Sequence, residues 1–385
     1  MRRLSRGRSK PSRDATLGFR LSLKAALAFI LLPALLLWAG GRQAQQSAEP
    51  RLRLVFVGDV VLEASWHPRT HPPADLLRHI RAQLALADLV VCNLEEPLTN
   101  FPTHTPHKNP AAVAAGRDFI MRATSPNAAP ALRRAGIDVA ALANNHTMDY
   151  TEQGLLDTLD RLRAAGIVPV GAGENLAAAE QVQVVEKKGL RIGFLSFSDV
   201  VPRYYWAEGA RPGIASSKEV ERVRDAVAEA RPQADLLAII FHWGEQRARE
   251  PSGRQQTLAR AAAGAGADLI LGAHPHVLQG VGCLGRVPVV YSAGNFVFPT
   301  RNLNARRSAL FEIKLSGARI SSVRVLPLLL DGEGRPHLAS RTLAQEILRE
   351  LKQLSTELGA SFDGDEARCP AAPQEKPAPK PNPAR

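Results

Sequence analysis

Aromatic residues make up only 5% of this 385-residue sequence, and there are three cysteines, Cys92, Cys283 and Cys369. With no Cys-x-x-Cys pair among them, a cysteine-built metal knuckle is excluded. Cys92 lies inside the apolar stretch DLVVCNLE and reads as a small core residue. Internal repeats are also missing. The shortage of aromatics does not mean the shortage of a core, because hydrophobic residues reach 45%. That balance belongs to a globular chain rich in Ala, Leu and Val, not to a disordered one. The length predicts roughly two domains or one large α/β domain.

Negative charge is also scarce, with a formal net charge of +12, but its distribution argues against a nucleic-acid groove. Residues 1–24 carry eight cations against Asp14, and residues 367–385 carry four against Glu375. These ends hold +7 and +3, leaving a body of only +2. Nucleic acid is therefore not expected as a partner.

One long charge-free run is present, AALAFILLPALLLWAGG, residues 25–41, directly after the basic segment. It reads as a signal anchor or signal peptide with the positive residues inside, which exports everything that follows. The expected location is extracytoplasmic, at the cell membrane. An oxidising compartment would permit a disulfide between Cys283 and Cys369, but the reading leaves the two unpaired.

After a linker at 42–50, apolar runs alternate with helical spacing. RLRLVFVGDV, DLVVCNLE, IDVAALANNH and VPVGAG read as strands, with helices between them. Thr151 is expected to cap the helix TEQGLLDTLDRLRAAG and Gly166 to stop it. QVQVVEKKGLRIGFLSFSD reads as a hairpin, and Ser216 with Glu219 matches a capping box. ADLLAIIFHWG, ADLILGAHPHV and VPVVYSAGNFVF follow as strands. Antiparallel strands around Gly317, a helical extension over 336–366 and a disordered Pro-rich tail over 367–385 complete the chain. The pattern predicts a layered α/β sandwich of parallel and antiparallel strands.

Polar residues collect where the apolar strands end. Asp59 ends the first and Glu95 the second, and Asn144, Asn145 and His146 end the third. His242, the pair His274 and His276, and Asn295 end later ones. Asn-Asn-His alone is turn chemistry. Nine residues of hard or borderline ligand type delivered past apolar strands point instead to a metal site. His274 and His276 could meet on one cation or on two adjacent ones, and Pro275 argues for a loop rather than a ladder there.

The stretches FVGDVVL, NLEEPLT, LANNHTMDY, GAGEN, FHWGEQ, GAHPHVLQG and YSAGNFVF, in that order over Leu54 to Phe298, resemble the CapA family of poly-γ-glutamate capsule biosynthesis proteins, within the calcineurin-like metallophosphoesterase superfamily. The resemblance implies a four-layered α/β/β/α sandwich over residues 51–335 and two divalent ions, Mn, Zn or Fe. It implies Asp59 and His276 on the first metal, Glu95 as the bridge, and Asn145, His242 and His274 on the second. His146 would be the proton donor to the leaving group. Val61 stands where the superfamily has a His ligand, leaving the first site one ligand short unless Glu63 or water supplies it.

Two ions about 3.5–4 Å apart clamp the charge of a phosphoryl displacement. Asn144, Lys108 and Asn295 are further candidates for touching substrate, Lys108 from the loop PTHTPHKNP that also holds His104 and His107. RYYW, Arg203 to Trp206, reads as a lid or a surface aromatic cluster. The expected function is a membrane-anchored metal-dependent hydrolase acting on an anionic envelope polymer or a phosphorylated precursor, alongside other capsule synthase subunits. The alternative is a non-catalytic metal-binding component of a polymer synthesis or export complex. Val61 favours the alternative, while His146, which matters chiefly for chemistry, favours the hydrolase.

Overall fold

Successive residues of the central strands point to opposite faces, and both faces are apolar, so each sheet needs cover on two sides. The computed structural model describes residues 51–63 and 71–370. Leu54, Phe56 and Val91 of one sheet meet Phe194, Ala238, Ile240 and Leu271 of another in a shared apolar layer. Their neighbours Val55, Val57, Val90 and Cys92 point the other way, onto Leu132 of the helix Ala128–Ala135 and Leu155, Leu159 and Leu162 of the helix Thr151–Ala164. On the far side, Leu237, Ile239 and Phe241 pack on Val223 and Val227 of the helix Val220–Ala230 and on Leu258 and Ala262 of the helix Gly253–Gly264. Each such fully buried side chain contributes roughly 1.5–3 kcal/mol through area removed from water. The product is a mixed α/β fold with more than one sheet.

The first sheet has ten strands. Its inner part runs Arg51–Val60, Leu89–Leu94, Val139–Ala141, Val168–Val170, all parallel. On the other side of Arg51–Val60 lie the antiparallel Arg307–Ser316 and Arg319–Leu330 around Gly317, as the sequence predicts. The second sheet has six strands, with Leu190–Ser198, Leu236–His242, Leu269–Ala273 and Val287–Val290 parallel. Gln183–Lys187 pairs antiparallel with Leu190–Ser198, the expected hairpin.

Several local expectations change. VPVVYSAGNFVF is not one strand: Val287–Val290 belongs to the second sheet and Asn295–Val297 to the first, and the crossing between them includes Gly294 at φ +66°. Gly58 packs so closely on Gly294 that a Cβ there would lie 1.7 Å from the Gly294 carbonyl oxygen, so only glycine fits. Gly166 does end its helix, at φ +74° with its N–H on the Arg163 carbonyl. Thr151 is the first helical residue and Tyr150 the cap. Ser216 and Glu219 form no capping box, because Ser216 accepts from the Lys218 N–H instead. The box is made by Ser252 and Gln255 at the head of the helix Gly253–Gly264.

Residues 336–366 carry the helix Arg341–Ser355 but also strands Pro336–Leu338 and Ser361–Asp363. With Glu366–Arg368 these extend the first sheet, so the folded body runs past 367, where the tail was expected to begin. The basic segment, the hydrophobic run, the linker and the tail from 371 lie outside the described residues. Among the described residues no helix is long and apolar enough to cross a membrane.

Cys283 and Cys369 are joined, correcting the unpaired expectation, while Cys92 is buried and free. Burial pushes the Cys92 thiol up to about 12, which makes it inert. The disulfide ties the second-sheet strand Val281–Leu284 to the residue after Glu366–Arg368 of the first sheet, 86 positions away. Closing so long a loop restricts the unfolded chain, and chain-entropy reasoning puts the stabilisation at about 4–5 kcal/mol. Replacing both cysteines by alanine is expected to lower the denaturant midpoint and steepen the slope, because the unfolded chain loses its crosslink and expands; an unchanged midpoint would show that the bond adds nothing to stability.

Candidate metal centre

Parallel strands deliver their ends to one edge of a sheet, and here both sheets deliver theirs to one buried point. Asp59 sits opposite Asn93 and Asn295 in the first sheet, and His242 opposite Ala273 in the second, one residue before His274. Glu95 follows its strand directly and donates its N–H to the Val60 carbonyl. His274 and His276 both take left-handed backbone, at φ +99° and +57°, conformations that non-glycine residues adopt only where surrounding structure enforces them. The loop between the two histidines is therefore held, not free.

The donors form two groups that share Glu95. In one, His242 Nε2 lies 2.8 Å from Asn145 Oδ1, 3.1 Å from His274 Nδ1 and 3.3 Å from Glu95 Oε1. In the other, Asp59 Oδ2 lies 3.1 Å from His276 Nδ1, and His276 Nε2 lies 3.9 Å from Glu95 Oε1. Glu95, His274 and His276 each place a ligand atom within 4.8 Å of the others. The six residues expected to hold metal are thus brought together.

Glu95 gives the test of fit. Both of its carboxylate oxygens are fully buried and accept no hydrogen bond, and the His242 nitrogen at 3.3 Å lacks hydrogen-bond geometry. A buried, unpartnered carboxylate is costly unless a cation meets it. His242 Nε2, His274 Nδ1, Asn145 Oδ1 and a Glu95 oxygen thus crowd together, with both Glu95 oxygens left without a hydrogen bond. The donor set of nitrogens and oxygens fits a divalent cation.

The electrostatics agree with that arrangement. Burial pushes the Glu95 carboxyl up from its usual range. Burial holds His242 down at about 3, and takes His274 well below the ordinary imidazole value with help from the neighbouring His242 and His276. Such histidines are neutral and have lone pairs to give. For His276 burial acts downward, but Glu95, Asp59 and Asn295 outweigh it and hold the imidazolium up at about 9. The two carboxylates thus draw positive charge to this point.

His146 lies beside the cluster and lines the same cavity as His276 and Asn295. Its Nδ1 is 2.8 Å from Asp149 Oδ2, so a proton there is donated to Asp149 and the ring is held with Nε2 on its other side. Burial and the neighbouring Lys108 lower its proton affinity, while Asp149 raises it. Lys108 was expected to grip substrate, but its ammonium is buried on Asp149 at 2.7 Å, near His146 Nδ1 at 3.0 Å and on the Phe119 carbonyl. Its place is behind the imidazole.

Asn144, also a substrate candidate, is fully enclosed: it donates to the Leu94 carbonyl and accepts from the N–H groups of His146 and Thr147. It fixes the loop that presents Asn145 and His146. Asn295 accepts at 2.9 Å from His276 Nδ1 and donates to the Ala305 carbonyl, so it orients a donor while lining the cavity. Glu63 cannot replace the ligand that Val61 lacks, because its oxygens accept from Thr124 and Ser125. Val61 is itself buried against Met121. His107 stacks on Tyr204, whose hydroxyl donates to the His107 carbonyl, so the RYYW stretch packs on the loop after Glu95.

Two working residues escape the sequence reading. Asn93 donates to Asp59 Oδ1 at 2.8 Å, and its signal was a polar residue inside an apolar strand two places before Glu95. Asp149 has no exposed surface and sits three residues after His146 on the same turn, a spacing that would have flagged the pair.

Two sheets of a mixed α/β body thus direct buried carboxylate, amide and imidazole donors from their strand ends to one point. Residues 53–300 match the family described as Bacterial capsule synthesis protein PGA_cap, and the chain belongs to that family. It is 29% identical over 332 residues to the PGA biosynthesis protein CapA of Bacillus subtilis, covering 84% of each chain. It is 30% identical over 310 residues to the Capsule biosynthesis protein CapA of Bacillus anthracis, covering 78% of this chain and 73% of that one. Among solved structures, a putative 5'-nucleotidase of Staphylococcus aureus is similar at a TM-score of 0.46 and 16% identity, over 79% of this chain and 58% of that one.

Proposed function

We propose that this chain is an exported, membrane-tethered, metal-dependent hydrolase of phosphoesterase type, acting in the biosynthesis of poly-γ-glutamate or a related anionic envelope polymer. The observation that carries the reading is Glu95: an unpartnered buried carboxylate shared by two donor groups, with His146 on Asp149 lining the adjoining cavity. Asp59 and His276 would hold one ion, Asn145, His242 and His274 a second, and Glu95 both, in the four-layered fold of that superfamily. Ions of Mn, Zn or Fe would supply Lewis acidity and an activated water. The chain's own residues then do the rest. Asn93 and Asn295 fix Asp59 and His276, Asn144 fixes the His146 loop, and His146, as an imidazolium whose Nδ1–H is held by Asp149, donates its Nε2 proton to the departing oxygen and is left neutral.

Export is supported by the Arg-rich start, the hydrophobic run at 25–41 and the Cys283–Cys369 bond, which suits an oxidising compartment. A phosphorylated precursor, the polymer itself and other capsule synthase subunits are the partners this reading proposes.

A second reading, a non-catalytic metal-binding component of a synthesis or export complex, is favoured by one observation. The position of the missing ligand is the buried apolar Val61, and Glu63 is engaged elsewhere. The two separate in one assay. The full chain is purified in detergent, loaded with Mn, Zn or Fe, and given bis(p-nitrophenyl) phosphate and polymer extracted from the producing cells. Metal-dependent cleavage of either is the expected result; full metal occupancy with no cleavage of both would transfer the assignment to the second reading.

A further inference from the structure

Next to the metal donors is a cavity of about 480 Å³ whose floor includes His146 and His276. One wall is apolar, made by Phe119, Met121 and Phe298, and the Phe298 ring lies 4.8 Å from that of His276. Arg247 and Arg301 also line it, and among the described residues no carboxylate side chain does. Both arginines are exposed, and among the described residues neither guanidinium has an ion-pair or hydrogen-bond partner. Other arginines, among them Arg191, Arg222, Arg307 and Arg324, are paired with acids.

The two are also placed by the donor loops. Arg247 takes left-handed backbone at φ +65°, and its N–H donates at 2.7 Å to the carbonyl of Pro275, the residue between His274 and His276. Arg301 precedes Asn302, which caps the short helix Leu303–Arg306, and within that helix the Ala305 carbonyl accepts from Asn295, the partner of His276. Left-handed backbone is uncommon at a non-glycine residue, and here it sets Arg247 beside the donor loop. Two unpaired planar forks beside a site that takes an anion match the geometry of carboxylate or phosphate oxygens.

We propose that Arg247 and Arg301 form a subsite for a second anionic group of the substrate, so that the site takes a polyanion instead of an isolated ester. The inference rests on the hydrolase reading for the identity of the first group, the one held at the metal donors. The shared chemistry is a chain of carboxylates or phosphates, with the aliphatic part of each unit on the Phe119, Met121 and Phe298 wall.

The test uses the full chain with divalent ions held on a chelator, so that binding at the arginines is read apart from the metal donors. Calorimetry with a γ-linked glutamate trimer and with tripolyphosphate separates the two sources, and the trimer's neutral amide serves as control. Wild type is expected to bind at least one anion and not the amide. Replacing both residues, Arg247→Ala with Arg301→Ala, should weaken that binding about tenfold or more, and lysine at both positions should restore part of it. Binding of the trimer alone would identify a polycarboxylate, of tripolyphosphate alone a phosphorylated chain, and of both a site that reads charge. No binding of either, or equal binding by the double alanine variant, would overturn the proposal. Anion binding without any hydrolysis by the metal-loaded chain would remove the hydrolase and leave the subsite; hydrolysis with binding unchanged in the double variant would do the reverse.

Discussion

Glu95→Gln is expected to empty the metal centre while making the chelated protein more stable. Glutamine has the same shape but no charge, and Glu95 is the donor shared by both groups. Even residues one shell further out typically change metal affinity by about 10- to 100-fold, so loss of the shared carboxylate should exceed that. The opposite sign for the chelated protein follows from burial. Both Glu95 oxygens lack a hydrogen bond in the interior, and a neutral amide avoids part of the penalty of burying that carboxylate. With metal present, wild type should regain the advantage, since a ligand at about 100 times its Kd adds about 2.7 kcal/mol. The measurements are metal per chain by mass spectrometry of metals and melting with and without chelator. His274→Ala should likewise lose metal, but it removes packing and should gain no stability. A Glu95→Gln protein holding wild-type metal would end the metal-centre assignment.

His146→Gln should leave metal content and melting close to wild type while turnover falls by about 10²- to 10⁴-fold, the usual cost of losing a general acid. Glutamine can still fill the space beside Asp149 and Lys108, but it cannot carry a proton to a leaving oxygen. The comparison needs three readouts together: metal stoichiometry, cleavage of the phosphodiester or native polymer, and polymer formation in a deletion strain carrying the variant. Normal metal with cleavage and polymer both lost is the expected outcome. Full polymer with the metal intact would favour the scaffold, because guiding a chain needs no proton donor. Loss of metal would mean that Asn145 and His146 have exchanged roles.

How much of this was legible in the chain differs from residue to residue. The six donors and His146 could be found because each stands just past an apolar run, and strand ends are a local property of sequence. Gly166 as a stop and the turns at Gly189 and Gly317 were legible for the same reason. The roles given to Lys108 and Asn144 could not be checked locally. A lysine in a polar loop looks free until the loop folds back and buries its ammonium on Asp149, 41 residues later. Glu63 looked like a spare ligand until Thr124 and Ser125 claimed its oxygens.

By itself, then, the sequence determined which residues leave the core at strand ends, and the period of two that makes both faces of each central strand apolar. Those features depend on neighbours a few positions away. Tertiary structure alone decided that VPVVYSAGNFVF crosses from one sheet to the other and that Lys108 is buried on Asp149. It also decided that Cys283 meets Cys369 and that Arg247 and Arg301 face the same cavity. The physical reason is that each of these depends on strand pairing and layer stacking between segments tens to hundreds of residues apart, and no local spacing encodes which distant partner a buried charge, a thiol or a lone pair will find.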